Sequence, residues 1–232
     1  MATNVPPWPG DFESVAQQYW SLWGDALRQV GAGPAMPMPG AAPGWQQTVD
    51  WWTKLVPGGQ AQVDEAVAAA RAAQPLWWAA GIQKRHDVLM AIGTELMARA
   101  GEIGTLLARE EGKTLAEGKG EVYRAGQFFT YYAAEALRLI GDHAQSVRPG
   151  IEIDVRREAL GVVAIISPWN FPVATPAWKI APALAFGNAV VWKPANLTPA
   201  SAVALTEIIT RQDIPAGLFN LVAGAGRDVG QH

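Results

Sequence analysis

The sequence predicts an α/β fold: a parallel sheet with crossover helices, preceded by a helical N-terminal region and a strand hairpin. Three observations predict it. From Gly161 onward short apolar runs alternate with helix-period segments. Four alanine-rich stretches with apolar residues at three-four spacing fill the chain from about Ala61 to Ile140. Between the two regions, "SVRPGIEIDVRREALG" alternates in the strand manner, and Pro149-Gly150 supplies the corners of a tight turn. Strand-helix-strand units at such short intervals form parallel sheets with right-handed crossovers.

The elements follow in order. "QVDEAVAAARAAQPLW" reads as a helix to about Gln74, where the proline stops it. A second helix runs from about Ile82 to Ala100 on a stripe of Val88, Leu89, Ile92, Leu96 and Met97. Glu102 to Glu111 forms a third, stopped by Gly112 with Lys113 beside it, and Leu115 to Ile140 a long fourth. "GVVAIIS" reads as a buried strand, "PVATPAWKIAPALAFG" as a helix entered through proline, and "NAVVWKP" as the next strand. "TPASAVALTEIITRQ" is a helix, "GLFNLVAG" a strand, and "AGRDVGQ" a loop opening a further helix.

Residues 1–59 have a different texture, with six of the eleven tryptophans and eight of the seventeen prolines. Phe12, Val15, Tyr19, Leu22, Trp23, Ala26, Leu27 and Val30 keep helical spacing, with Asp11 as N-cap and Gly31 as stop. "GAGPAMPMPGAAPG" is a low-complexity linker, and "WQQTVDWWTKLV" a second short helix with Trp45, Val49, Trp52 and Leu55 on one face. Two such helices bury little by themselves. They fold back on the main domain or stay partly disordered, or else their aromatic faces dock another protein.

Composition narrows the function. With 18 Lys+Arg against 21 Asp+Glu the chain lacks the basic face of a nucleic-acid binder. It has no cysteine, hence no disulfide, thiolate metal site or thiol nucleophile. The three histidines are scattered without metal-ligand spacing, so no metal site is expected. No apolar run spans a membrane and the N-terminus lacks a secretory pattern, which together predict a cytoplasmic protein without membrane contact.

In a parallel sheet ligands sit at the carboxyl ends of the strands. "SPWN" and "KPAN" both fall there. Asn170, in the proline-boxed "SPWNFP", is either a turn former or a carboxamide that donates to an oxygen gaining negative charge. Lys193 either snorkels from a strand end or reaches an anionic ligand. "GAGRDVG" has the glycines of a phosphate loop, but its G-x-G-x-x-x-G spacing departs from the dinucleotide fingerprint.

Taken together and in order, "REALGVVAIISPWNFP", "KIAPALAFGNAVVWKPA", "LTPASA" and "IPAGLFNLVAGAGRDVG" closely resemble the aldehyde dehydrogenase superfamily. "EEGKTLAEGKGEVYRAGQFFTYYAAEA" fits the family's N-terminal region, so the resemblance covers residues 61–232. It is nearest to semialdehyde-oxidising members that use NAD or NADP. The resemblance implies an incomplete parallel Rossmann-like sheet and four regions. These are a leader at 1–59, a helical part at 60–143, a strand hairpin at 144–160 and an NAD(P)-binding α/β segment at 161–232.

It also implies roles. Asn170 would donate to the oxyanion of a thiohemiacetal, and Ile166, Ser167 and Trp169 would line the cofactor cleft. Lys193, with Ala195 and Asn196 behind it, would contact the adenosine ribose or its phosphate. NAD-preferring members often carry glutamate where this chain has Asn196; without that carboxylate a 2′-phosphate meets no repulsion. Gly226 and Gly230 would lie near the adenine and the pyrophosphate-side helix. The partners implied are a small aldehyde and, in the family, further copies of the same chain.

The resemblance also has gaps. The family's cysteine nucleophile, its "ELGGK"-like general base and its "FTGS" turn have no counterpart in these residues. The 232 residues are therefore expected to hold less than half of the family's body, to leave a sheet edge unpaired, and to be inactive alone. The leader, on "DFESVAQQYWSLWGDALRQ" and "PGWQQTVDWWTKL", resembles the N-terminus of the accessory subunit of class III polyhydroxyalkanoate synthases. The alternative to an enzyme-family reading is thus an interaction protein that recruits a synthase through residues 1–59.

Overall fold

A computed structural model describes residues 59–224 and 226–229. They fall in one unit, Pro57–His232, and the helices expected before Gly59 lie outside the described residues.

Four helices come first: α1 (Gln60–Ala79), α2 (Gly81–Ala98), α3 (Ala100–Glu111) and α4 (Leu115–Ala136). Helix α1 does not stop before Pro75 but runs through it. An interior proline costs about 3 kcal/mol. Here burial of Trp77, whose Nε1–H donates to the Leu184 carbonyl at 2.9 Å, offsets that cost. Helix α3 ends at Gly112 in the left-handed conformation (φ 85°), and Thr114 with Glu117 forms a capping box that starts α4. Helix α4 packs against α2, α3 and the later α5. Glycines set how close these helices come. A Cβ on Gly118 would lie 2.4 Å from the Gly104 carbonyl oxygen, and one on Gly93 2.7 Å from that of Gly126.

The hairpin follows as β1 (Asp142–Gln145) paired antiparallel with β2 (Glu152–Val155), Asp142 opposite Val155 and Gln145 opposite Glu152. The alternation in the sequence suggests one buried face, yet every residue of both strands is exposed. The pattern therefore marks two solvent-facing sides, with Ile151, Ile153 and Val155 each about half exposed.

The parallel sheet is β3 (Val162–Ile166), β4 (Ala189–Lys193) and β5 (Phe219–Leu221), in that order across the sheet. Helices α5 (Ala174–Ala185) and α6 (Pro199–Thr210) connect the strands, and a short α7 (Gly226–Val229) follows β5. Central β4 is buried up to its last residue, as a strand covered on both faces should be. Strand β3, expected to be buried, instead exposes Ala164 and Ile166. It is an edge strand: Val162 still packs against the core, but the same face opens toward the strand's end at Ala164 and Ile166. Val162 pairs with Ala189 and Ile166 with Lys193, so the expected site segments leave the sheet side by side. No helix among the described residues is long and apolar enough to cross a membrane.

Candidate active site at the strand ends

Strand β3 runs out at Ile166 and the chain turns at Ser167. Ser167 is buried: its N–H donates to the Lys193 carbonyl at 3.2 Å, and its hydroxyl accepts from Trp192 Nε1 at 2.9 Å. These bonds fix the start of the loop to β4. Ser167 thus serves as an anchor, while Ile166 (63 % exposed) and Trp169 (50 %) present free apolar surface at the strand ends. Beyond them Asn170 and Phe171 lie exposed.

A turn-forming asparagine bonds its side chain to nearby backbone. No hydrogen bond of the Asn170 side chain appears among the described residues. Its backbone carbonyl accepts from Lys113 Nζ at 3.3 Å instead. Asn170 lines a cavity of about 470 Å³, within the usual range for ligand sites. Lys113, Glu117, Glu121, Arg124 and Phe171 line it with Asn170. A second cavity of about 520 Å³, between α2 and the hairpin, is lined by none of the strand-end residues.

The acidic side of the cavity is committed to structure. Glu121, with 2 % of its side chain exposed, accepts from the amides of Val173 and Ala174 at 2.9 and 3.0 Å, at the start of α5. Its other oxygen receives Lys113 Nζ at 2.6 Å, and Glu111 approaches the same nitrogen at 2.9 Å. Burial opposes the Lys113 charge, but the hydrogen bond it donates to Glu121 and the pairing with Glu111 outweigh it and hold its pKa above the ordinary lysine value. Burial pushes Glu111 up. Helix α6 is treated alike: Glu110 accepts from the amides of Ala200 and Ser201 at 2.7 and 2.9 Å. It does the work of an N-cap that Thr198 leaves undone. Both helix N-termini, ordinarily anion sites, are thus filled by glutamates of the chain itself.

The raised pKa of Lys113 carries a pH prediction. A lysine whose folded pKa exceeds its unfolded one stabilises fully below the unfolded value, and the contribution is lost as pH rises through the folded value. The stability difference between wild type and Lys113→Met should be constant from about pH 8 to 10 and shrink above that. Urea unfolding across this range measures it; a difference that grows with pH would contradict the ion pair.

Lys193 stands at the end of β4 with its ammonium on the Pro194 carbonyl at 2.8 Å and 3.5 Å from Asn196 Oδ1. No carboxylate pairs with it among the described residues, and burial lowers its pKa. Ala195 follows in a turn closed by Thr198 N–H on its carbonyl. Gly226 is exposed at the start of α7; Gly230 lies outside the described residues. The structure thus brings Ile166, Ser167, Lys193 and Asn196 together at adjoining strand ends, with Trp169 and Asn170 on the loop beyond.

Sequence reasoning missed Glu121, Lys113, Glu110 and Glu111. One signal was available: Glu121 falls inside the buried stripe of α4, among Gly118, Val122, Ala125 and Phe129. A carboxylate at a core position needs a partner.

The sequence profile of the aldehyde dehydrogenase family matches residues 45–232. The chain belongs to this family. The match takes in 45–59, which the sequence reading assigned to the leader. Relatives include 3,6-anhydro-alpha-L-galactose dehydrogenase of Streptomyces coelicolor, 43 % identical over 73 % of this chain and 34 % of that protein. The 2,5-dioxopentanoate dehydrogenase of Saccharolobus solfataricus is 40 % identical over 72 % and 35 %. Among solved structures, an NADP-dependent glyceraldehyde-3-phosphate dehydrogenase from Bacillus halodurans in complex with NADP aligns with TM-score 0.70 and 38 % identity. It covers 73 % of this chain and 37 % of that one. Betaine aldehyde dehydrogenase from Staphylococcus aureus with NAD+ aligns at 0.72 and 32 %, over 75 % and 35 %. The chain spans about a third of the length of the relatives it matches.

Proposed function

We propose that these residues supply the oxyanion donor and one side of the cofactor cleft of an NAD(P)-dependent aldehyde dehydrogenase that oxidises a semialdehyde to a carboxylate. The observation that carries this reading is Asn170, a cavity-lining residue whose carboxamide makes no hydrogen bond among the described residues, on a loop whose backbone is bonded on both sides. Its Nδ2–H donates to the substrate oxygen as the carbonyl carbon becomes tetrahedral. The semialdehyde class draws support from Arg124, a cation in the same cavity that a semialdehyde's carboxylate would meet.

The residues fit a nicotinamide dinucleotide. Lys193 is a desolvated cation without a carboxylate, Asn196 adds no repulsion, and Ile166 offers apolar surface beside them. Lys193 and Asn196 would hold the adenosine ribose, and a 2′-phosphate on it would pair with the part-buried ammonium. By the family resemblance Gly226 would lie near the adenine; the N-termini of α5 and α6 are filled by glutamates of the chain itself. When bound, the cofactor accepts the hydride.

The 232 residues contain no cysteine, so a covalent thiol step needs a thiolate from outside them. The purified chain is expected to give no NAD(P)H from any aldehyde. It is expected to bind NADP+ more tightly than NAD+ by tryptophan quenching, with Lys193→Ala removing the difference. Turnover by the chain alone, or a preference for NADP+ that survives Lys193→Ala, would refute the respective part.

A further inference from the structure

We infer that Lys113 and Glu121 are positioning residues for the Asn170 loop, a role that rests on the reading of Asn170 as the oxyanion donor. The loop between β3 and α5 carries four exposed residues, Pro168, Trp169, Asn170 and Phe171; of its own it has only the restraint of Pro168 and Pro172 and the Thr175 N–H on the Phe171 carbonyl. Its first residue is tied to β4 through Ser167. Its other end is tied to α4 by one ion pair, which reaches three of its residues and the first residue of α5. Glu121 takes the amides of Val173 and Ala174, while Lys113 bonds the Asn170 carbonyl and lies 4.5 Å above the Phe171 ring. Lys113 is itself largely buried, with 12 % of its side chain exposed, so this is not a solvated lysine that happens to lie nearby.

The division of labour is specific. Lys113 grips the backbone of Asn170 and leaves the carboxamide free, as a donor aimed at a transient charge requires. Capping of α5 by itself would need only Glu121. The bond from Lys113 to the Asn170 carbonyl is superfluous for a cap, and it is the contact that sets where the donor stands. Preorganisation of this kind places the cost of ordering the loop in folding rather than in the reaction.

The test uses the full 232-residue chain, with selective isotope labelling of asparagine and hydrogen exchange over residues 167–174. In Lys113→Met the Asn170 side-chain amide resonances are expected to broaden or split, and exchange at 170–174 to rise about tenfold. Lys113→Arg, which keeps a cation donor, is expected to restore both. A cap without a positioning role predicts unchanged Asn170 resonances in Lys113→Met, and that result would overturn the inference. If Lys113→Met loses its far-UV circular dichroism, the isosteric Glu121→Gln decides. It keeps an acceptor for the amides but weakens the hold on Lys113, and wild-type resonances in a folded Glu121→Gln would equally overturn it. None of these readings involves aldehyde. A loop that loosens as expected, in a protein where Asn170→Ala proves kinetically silent, would leave the clamp standing and remove the oxyanion role.

Discussion

Asn170→Ala is expected to lower kcat about 10²–10³-fold in an active chimera, with KM for the aldehyde and affinity for the cofactor nearly unchanged. The chimera carries residues 60–232 in place of the matching segment of the 2,5-dioxopentanoate dehydrogenase, which is 40 % identical and supplies the remainder of the family's body. The expectation follows from where the carboxamide stands. It makes no bond within the described residues, so its removal takes nothing from the fold. The Lys113 bond goes to the backbone carbonyl, which alanine keeps. What alanine removes is a donor used when negative charge develops on the substrate oxygen, and an interaction stronger in the transition state appears in kcat. Asn170→Asp should be worse than alanine, because an ionised carboxylate offers acceptors and repels the developing charge. A kcat for Asn170→Ala within about threefold of the parent chimera, where loss of an oxyanion donor ordinarily costs 10²–10³, would return Asn170 to the status of a turn residue.

The sequence displayed the strand ends better than it displayed what surrounds them. Strand β4 is an unbroken apolar run closed by Lys-Pro, and its boundaries follow directly from composition. Helix α1 was cut short at Pro75 because the rule that proline ends a helix is local, whereas Trp77 gains its burial and its Leu184 bond from a segment 107 residues away. The hairpin was legible as two strands, but alternation states only that neighbouring side chains point to opposite sides. It does not say that either side is covered.

The same limit applies to the site. Asn170 and Lys193 were found because short motifs carry them. Glu121 and Lys113 were missed because their bonds to the loop span 52 and 57 residues. The signal for Glu121 was a charge within an apolar stripe, and reading it requires asking what such a charge is paired with. Glu110 and Glu111 gave no such signal, since acidic residues at the end of a helix that precedes glycine look like ordinary surface.

Gly118→Ala should destabilise the chain by about 1–3 kcal/mol, and Gly120→Ala on the same helix should stabilise it by about 0.4–1 kcal/mol. Both positions are helical, and in both alanine narrows the freedom of the unfolded chain. Only the folded surroundings differ. A Cβ at Gly120 meets nothing within 4 Å, whereas one at Gly118 would stand 2.4 Å from the Gly104 carbonyl oxygen. The obstacle is backbone, which has no rotamer to move aside, so α3 and α4 must separate. Gly104 is no easier, since its Cβ would meet the Lys119 backbone at 2.6 Å. The pair of glycines is what lets the two helices touch at this level. That contact sets Lys113, at the end of α3, beside Glu121, one turn further along α4. Separation should therefore loosen the clamp together with the fold, and exchange at 170–174 should rise in Gly118→Ala beyond what its lower melting temperature explains. Thermal unfolding of the two variants decides the matter. Equal shifts of the same sign would mean that the helices can give way at Gly118, and that the close approach is not what holds Lys113 and Glu121 together.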